Sequence, residues 1–110
     1  MNFYIGNFID EVNIQDSNVE FNDEFIDYIY KLNSQVSFDM SKLCEIDPYD
    51  DIIISVNDLS EIIKICNYIL DEFLLQNYKK QDEGNQMLEA LIELAKEAIS
   101  RNMGLVSIGD

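Results

Sequence analysis

The chain has 110 residues, enough for one domain and one core, and its 47% hydrophobic content rules out disorder by composition. Twenty-two acidic residues against seven basic ones give a net charge of −15, far outside the magnitude of about 2–8 usual for a small domain. That balance disfavours nucleic acid, polyanions and anionic membranes as partners and favours a basic protein surface. An acidic coat of the salt-adapted kind is the plain alternative, but the Ile, Asn and Tyr content argues against it.

Taken in chain order, residues 3–9 (FYIGNFI) read as a strand with Phe3, Ile5 and Ile9 on one side. Val12-Asn13-Ile14 and Val19-Glu20-Phe21 flank the turn-prone Asp16-Ser17-Asn18, which predicts a small hairpin. Asn22 is a good N-cap for a first helix that carries Asp23 and Glu24 in its first turn. Its buried stripe is Phe25, Ile29, Leu32 and Val36. A short helical turn fits within 37–43, and Asp47-Pro48-Tyr49-Asp50 has turn chemistry. Ile52-Ile53-Ile54 is either a buried strand or the lead-in to the next helix.

The second helix is capped by Ser55 or Asn57 and runs to about Tyr78. Leu59, Ile62, Ile63, Cys66, Ile69, Leu70, Phe73 and Leu74 recur along it at helical spacing. Residues 79–86 read as a polar connection centred on Gly84. The third helix then has Met87, Leu88, Leu91, Leu94, Ala95, Ala98 and Ile99 inward, with Gly104 as its terminator. Leu105-Val106-Ser107-Ile108 looks like a short strand or a docked tail. The expected fold is a helix-dominated, single-domain α+β structure spanning 1–110. It has three main helices, two of them paired, and a small antiparallel sheet from the N-terminal strands and the C-terminal tail.

Chemistry has little to stand on. The chain has no histidine, which removes the commonest general acid–base near neutral pH together with the triads and His–metal sites built on it. No phosphate-binding or dinucleotide glycine motif is present. A carboxylate-only mechanism is formally open, but 22 acids make chance pairs abundant. The Asp47–Asp51 segment lacks the ligand spacing, the central glycine and the closing glutamate of a calcium loop. Cys44 and Cys66 have no metal or redox spacing and read as small reduced hydrophobes. The expectation is therefore a protein that is not an enzyme and needs no cofactor or metal. The first residues do not resemble a signal peptide and no run is long enough for a membrane span, so a cytoplasmic protein is expected.

The acids are unevenly placed. Residues 1–30 hold Asp10, Glu11, Asp16, Glu20, Asp23, Glu24 and Asp27 with no base, and 43–63 hold Glu45, Asp47, Asp50, Asp51, Asp58 and Glu61, again with none. Glu89, Glu93 and Glu97 line up on the third helix at i, i+4 and i+8, where an ordinary wet helix face explains them equally well. Tyrosines are interleaved with the acids, and Tyr49 sits in an acidic turn with nothing apolar beside it until Ile52. The expected partner-binding residues are Asp10, Glu11, Asp23, Glu24, Asp27, Asp47, Tyr49, Asp50, Asp51, Asp58 and Glu61.

In size, acidity, missing catalytic groups and interleaved tyrosines, the chain resembles the immunity proteins of bacterial toxin systems, especially those of contact-dependent growth inhibition. That resemblance rests on no motif. It implies a monomer that forms a one-to-one complex with a cognate toxin domain, commonly a basic nuclease, by covering its active site or an adjacent exosite. Two other classes share the character: an acidic secretion chaperone or adaptor, which usually works as a dimer, and a nucleic-acid mimic, which would bind several unrelated DNA-binding proteins.

Overall fold

The computed structural model describes residues 1–13 and 15–109 as an α+β domain with a four-stranded antiparallel sheet. Strands β1 (Asn2–Ile5), β2 (Val19–Glu20), β3 (Ile52–Ile54) and β4 (Leu105–Ile108) are arranged in the order β2-β1-β4-β3. The helices are α1 (Asp23–Asn33), the single turn α2 (Ser41–Cys44), α3 (Leu59–Asp71) and α4 (Gln81–Ser100). No helix among the described residues is long and apolar enough to cross a membrane.

The sheet alternates as strands must. Phe3, Ile5, Val19, Ile52, Ile54 and Leu105 pack toward the helices. Tyr4 and Val106, a cross-strand pair, are buried on the opposite face, where Val12 packs over Gly6 beside Val106. On the helix side an aromatic chain runs from Phe3 through Phe21 and Phe25 to Tyr78, with ring centroids 5.3, 5.0 and 5.5 Å apart and the first two contacts edge to face.

Several elements depart from the sequence reading. Strand β1 stops at Ile5, and Ile9 is exposed in a short 3-10 turn (Ile9–Glu11). The Glu11 carboxylate causes the exit, because it accepts hydrogen bonds from the amides of Asn7 and Phe8 at 2.8 and 2.9 Å. The expected 12–14/19–21 hairpin gives way to pairing of β2 with β1, through Asn2 with Glu20 and Phe3 with Val19. Ile14, part of that expectation, lies outside the described residues. Of the two readings of Ile52–Ile54, the strand is the one formed, at an edge of the sheet rather than buried within it.

The N-cap of α1 forms as expected, with Asn22 Oδ1 accepting from the Phe25 amide at 2.9 Å. Helix α3 ends earlier than its apolar spacing suggests. Phe73 takes a left-handed φ of 53° and is 70% exposed, while Leu74 N donates to Ile69 O. This reversal swings Leu75 and Tyr78 into the core. A phenylalanine in that conformation costs about 1–2 kcal/mol, which the burial of those two side chains offsets.

Helix α4 begins at Gln81, so the connection is 72–80 rather than 79–86, and α3 packs against α4 across it. Gly84, the centre of the connection that the sequence suggests, lies inside the helix. A Cβ there would stand 2.9 Å from the Phe25 ring, 3.0 Å from Leu75 and 3.2 Å from Tyr78. Its helical penalty of about 1 kcal/mol is the condition for packing those three side chains against the helix. On the inner face of α4, Ile92 replaces the expected Ile99, which is 40% exposed. The helix terminator is Asn102 at φ 54°, with Met103 N donating to Ala98 O, and not Gly104.

Candidate functional site

The expected binding residues are all at the surface or partly so, but the fold does not gather them into one place. Asp10 and Glu11 sit in the 3-10 turn that follows β1. Asp23, Glu24 and Asp27 are exposed on α1, which follows the β2 edge, and Glu24 pairs with Lys80 at 3.6 Å. Asp47, Tyr49, Asp50 and Asp51 precede β3 at the opposite edge. Asp58 and Glu61 follow β3 and meet Lys42 and Lys64, each at 3.3 Å.

The turn acids largely serve the backbone. Asp47 Oδ1 accepts from the Tyr49 amide, Asp50 Oδ1 from the Asp51 amide and Asp51 Oδ1 from the Gly109 amide, at 2.9, 2.9 and 3.1 Å. These bonds explain why the turn is ordered, and they hold Tyr49 out at 71% exposure. Among the described residues, no three acidic or cysteine side chains gather to hold a metal ion.

A different surface is the better built. Three adjoining depressions form one groove between α4 and the β2 side of the sheet, the central one about 530 Å³. Ile5, Val19, Met87, Ala90 and Leu94 supply its apolar floor. Asp16, Glu20, Glu83, Glu93 and Glu97 stand around it, and its single base, Arg101, is paired with Glu97 at 3.1 Å. From Glu83 to Arg101 it follows α4 for about 27 Å at 1.5 Å per residue.

Sequence reasoning missed this groove because its far wall depends on β2 lying beside α4. The legible half was the α4 stripe at 83, 86–87, 90, 93–94, 97 and 101, a helical period with small Ala90 at its centre. The glutamate stripe divides: Glu93 and Glu97 line the groove, whereas Glu89 is exposed but does not.

The titratable groups held most firmly lie inside the fold. Tyr30, on α1, donates its hydroxyl to the Ile46 carbonyl and so ties α1 to the segment leading into β3. Burial, then the charges of Cys44 and Asp47, push its phenol up to about 12. Burial, then Glu45, lifts the Cys44 thiol to about 11, and burial lifts Cys66 to about 12. Both cysteines are free.

A raised pKa means that the folded chain holds the proton more tightly than the unfolded one. This stabilisation is therefore complete below the unfolded values of 9.0 for the thiols and 10.0 for the phenol, and it is lost as pH climbs toward 12. Thermal unfolding followed by circular dichroism should accordingly give a Tm that changes little from pH 7 to 9 and falls steeply above. A Tm that stayed level to pH 12 would contradict the burial of these groups.

No protein-family model, curated protein or solved structure matches this chain. Its functional reading therefore rests on charge and geometry.

Proposed function

We propose that this protein binds and neutralises a basic protein domain, a nuclease toxin being the best fit, in the manner of an immunity protein of the cytoplasm. The observation that carries this reading is the groove along α4, apolar in its floor and acidic around its rim. An apolar floor gives a partner side chain somewhere to be desolvated, and the acids orient Lys and Arg around it. The same Lys and Arg would otherwise hold nucleic acid, so occupying them inhibits by exclusion. A net charge of −15 adds long-range steering toward a cationic partner.

The test searches the reading frames beside this chain's own for one that encodes a basic domain; finding none would count against the proposal, and one that is found is purified for binding. Mixing it with this chain should give a one-to-one complex by light scattering and loss of the domain's nuclease activity, and co-expression should protect cells from it. Affinity should fall by about tenfold or more between low and high salt, since surface charges are screened beyond about 10 Å at 0.1 M. Binding without inhibition, or inhibition indifferent to salt, would count against the proposal. A dimer wrapped around an unfolded client would point instead to a chaperone.

A further inference from the structure

Strand β3 leaves one edge of the sheet open. Its hydrogen-bonding direction follows from two backbone contacts. Gly6 N donates to Gly104 O at 3.0 Å, and Phe21 N to Met1 O at 2.9 Å. In an antiparallel ladder, bonded and non-bonded pairs alternate. Gly104, Val106 and Ile108 therefore bond toward β1, and Leu105 and Ser107 bond toward β3. Their partners in β3 are Ile54 and Ile52, which leaves Ile53, opposite Val106, with its N–H and C=O directed to the open edge. The Ile53 side chain is also 49% exposed.

Edges of natural sheets are usually guarded by lysine, proline or a bulge. Residues 52–54 contain only isoleucine. A cleft of about 180 Å³ runs beside them, with Ser41 and Lys42 of α2 and Glu45 just after it across from the strand and Asp58 among its lining. Lys42 is engaged by Asp58 at 3.3 Å. Glu45 and Asp58 in the cleft, with Asp47, Asp50 and Asp51 in the turn before the strand, leave this edge strongly negative.

We infer that the β3 edge receives an extended, Lys/Arg-containing segment of the partner protein as a fifth strand. This rests on the proposal that the partner is basic. The occupant's pattern follows from the pleat. The residue opposite Ile53 shares its face and suits a β-branched side chain. Its two neighbours point to the other face, toward Glu45 and Asp58, and suit Lys or Arg. A second copy of this chain is a poor occupant, because edge-to-edge pairing would set one acidic rim against another.

The probe is a terminally blocked, alternating Lys–Val octapeptide. Two controls accompany it: a Glu–Val peptide, and a Lys–Val peptide N-methylated at alternate residues, which keeps the charge but cannot pair as a strand. On adding the Lys–Val peptide to the full chain, exchange of the Ile53 amide should slow by about tenfold or more. Neither control should reproduce this. Ile53→Pro removes an N–H that no ladder bond uses, so the fold should persist. Peptide affinity should then fall about tenfold, the loss expected for a strand-pairing hydrogen bond.

No binding, binding with unchanged Ile53 exchange, or equal binding of the N-methylated peptide would each overturn the inference. So would Ile53 protection that rises with protein concentration alone, which would assign the edge to a second copy. Strand pairing without neutralisation of the basic domain would count against the proposed function only. Neutralisation without strand pairing would count against this inference only.

Discussion

Replacing Gly104 by alanine is expected to destabilise the protein by about 3 kcal/mol, the upper range for overpacking. The added Cβ would stand 2.2 Å from the Ile54 carbonyl oxygen, 3.3 Å from its carbon and 3.4 Å from the carbonyl carbon of Ser55. All three are backbone atoms, so no rotamer change relieves the contact, and the end of β3 must move off β4. Gly104 cannot yield instead. Its amide donates to Asn7 Oδ1 at 2.9 Å and its carbonyl accepts from Gly6 at 3.0 Å. The cost is one of close approach rather than dihedral strain, since no described glycine has a positive φ. Gly6→Ala is the control: its Cβ would meet nothing nearer than Val106 Cγ2 at 3.5 Å, an ordinary contact. The smaller entropy of its unfolded chain makes that variant neutral or more stable by about 0.5 kcal/mol. Urea unfolding should show a lowered midpoint with unchanged slope for Gly104→Ala only. Equal midpoints for the two variants would mean that the strands do not approach as described.

What the sequence made legible was local. Asn22 followed by Asp23 and Glu24 announced α1, and apolar residues at helical spacing announced most of α3 and α4, because each signal lies within a few residues of its effect. Three failures share a cause. Gly84 reads as the centre of a connection, yet it is kept in α4 by Phe25, Leu75 and Tyr78, residues from other parts of the chain. Phe73 continues the α3 spacing, yet the helix turns there so that Leu75 and Tyr78 can be buried. Val19-Glu20 has a plausible partner nearby, yet pairs with β1. The acids divide in the same way. Their exposure could be read from composition, but the amides that Asp47, Asp50 and Asp51 hold could not. Nor could the groove, one wall of which comes from the β2 side of the sheet and the other from α4.

The groove's acids should matter by position and not only by number. Glu93→Lys with Glu97→Lys is expected to weaken binding of the basic domain by about 100-fold at low salt, since like charges set against each other cost several kcal/mol. The two reversals each add two charges and take the net charge from −15 to −11. A matched control is Asp71→Lys with Glu89→Lys, which reaches the same −11 from exposed positions outside the groove. Its loss should be only about threefold, through weaker long-range steering of the association rate. Neither pair should harm the fold much. The contacts that the groove pair removes, Glu97–Arg101 at 3.1 Å and Glu93–Lys96 at 3.8 Å, are exposed pairs within one helix, of a class that contributes about 0.3–0.5 kcal/mol each. Association and dissociation rates measured at low and high salt separate the two effects. Steering appears in the association rate and fades with salt, whereas contacts inside the groove appear in the dissociation rate and persist. If both pairs lose affinity equally, total charge alone captures the partner and α4 is not the binding face. If only the groove pair fails, and fails mainly in dissociation, the rim of acids around Val19, Ala90 and Leu94 is where the basic domain is held.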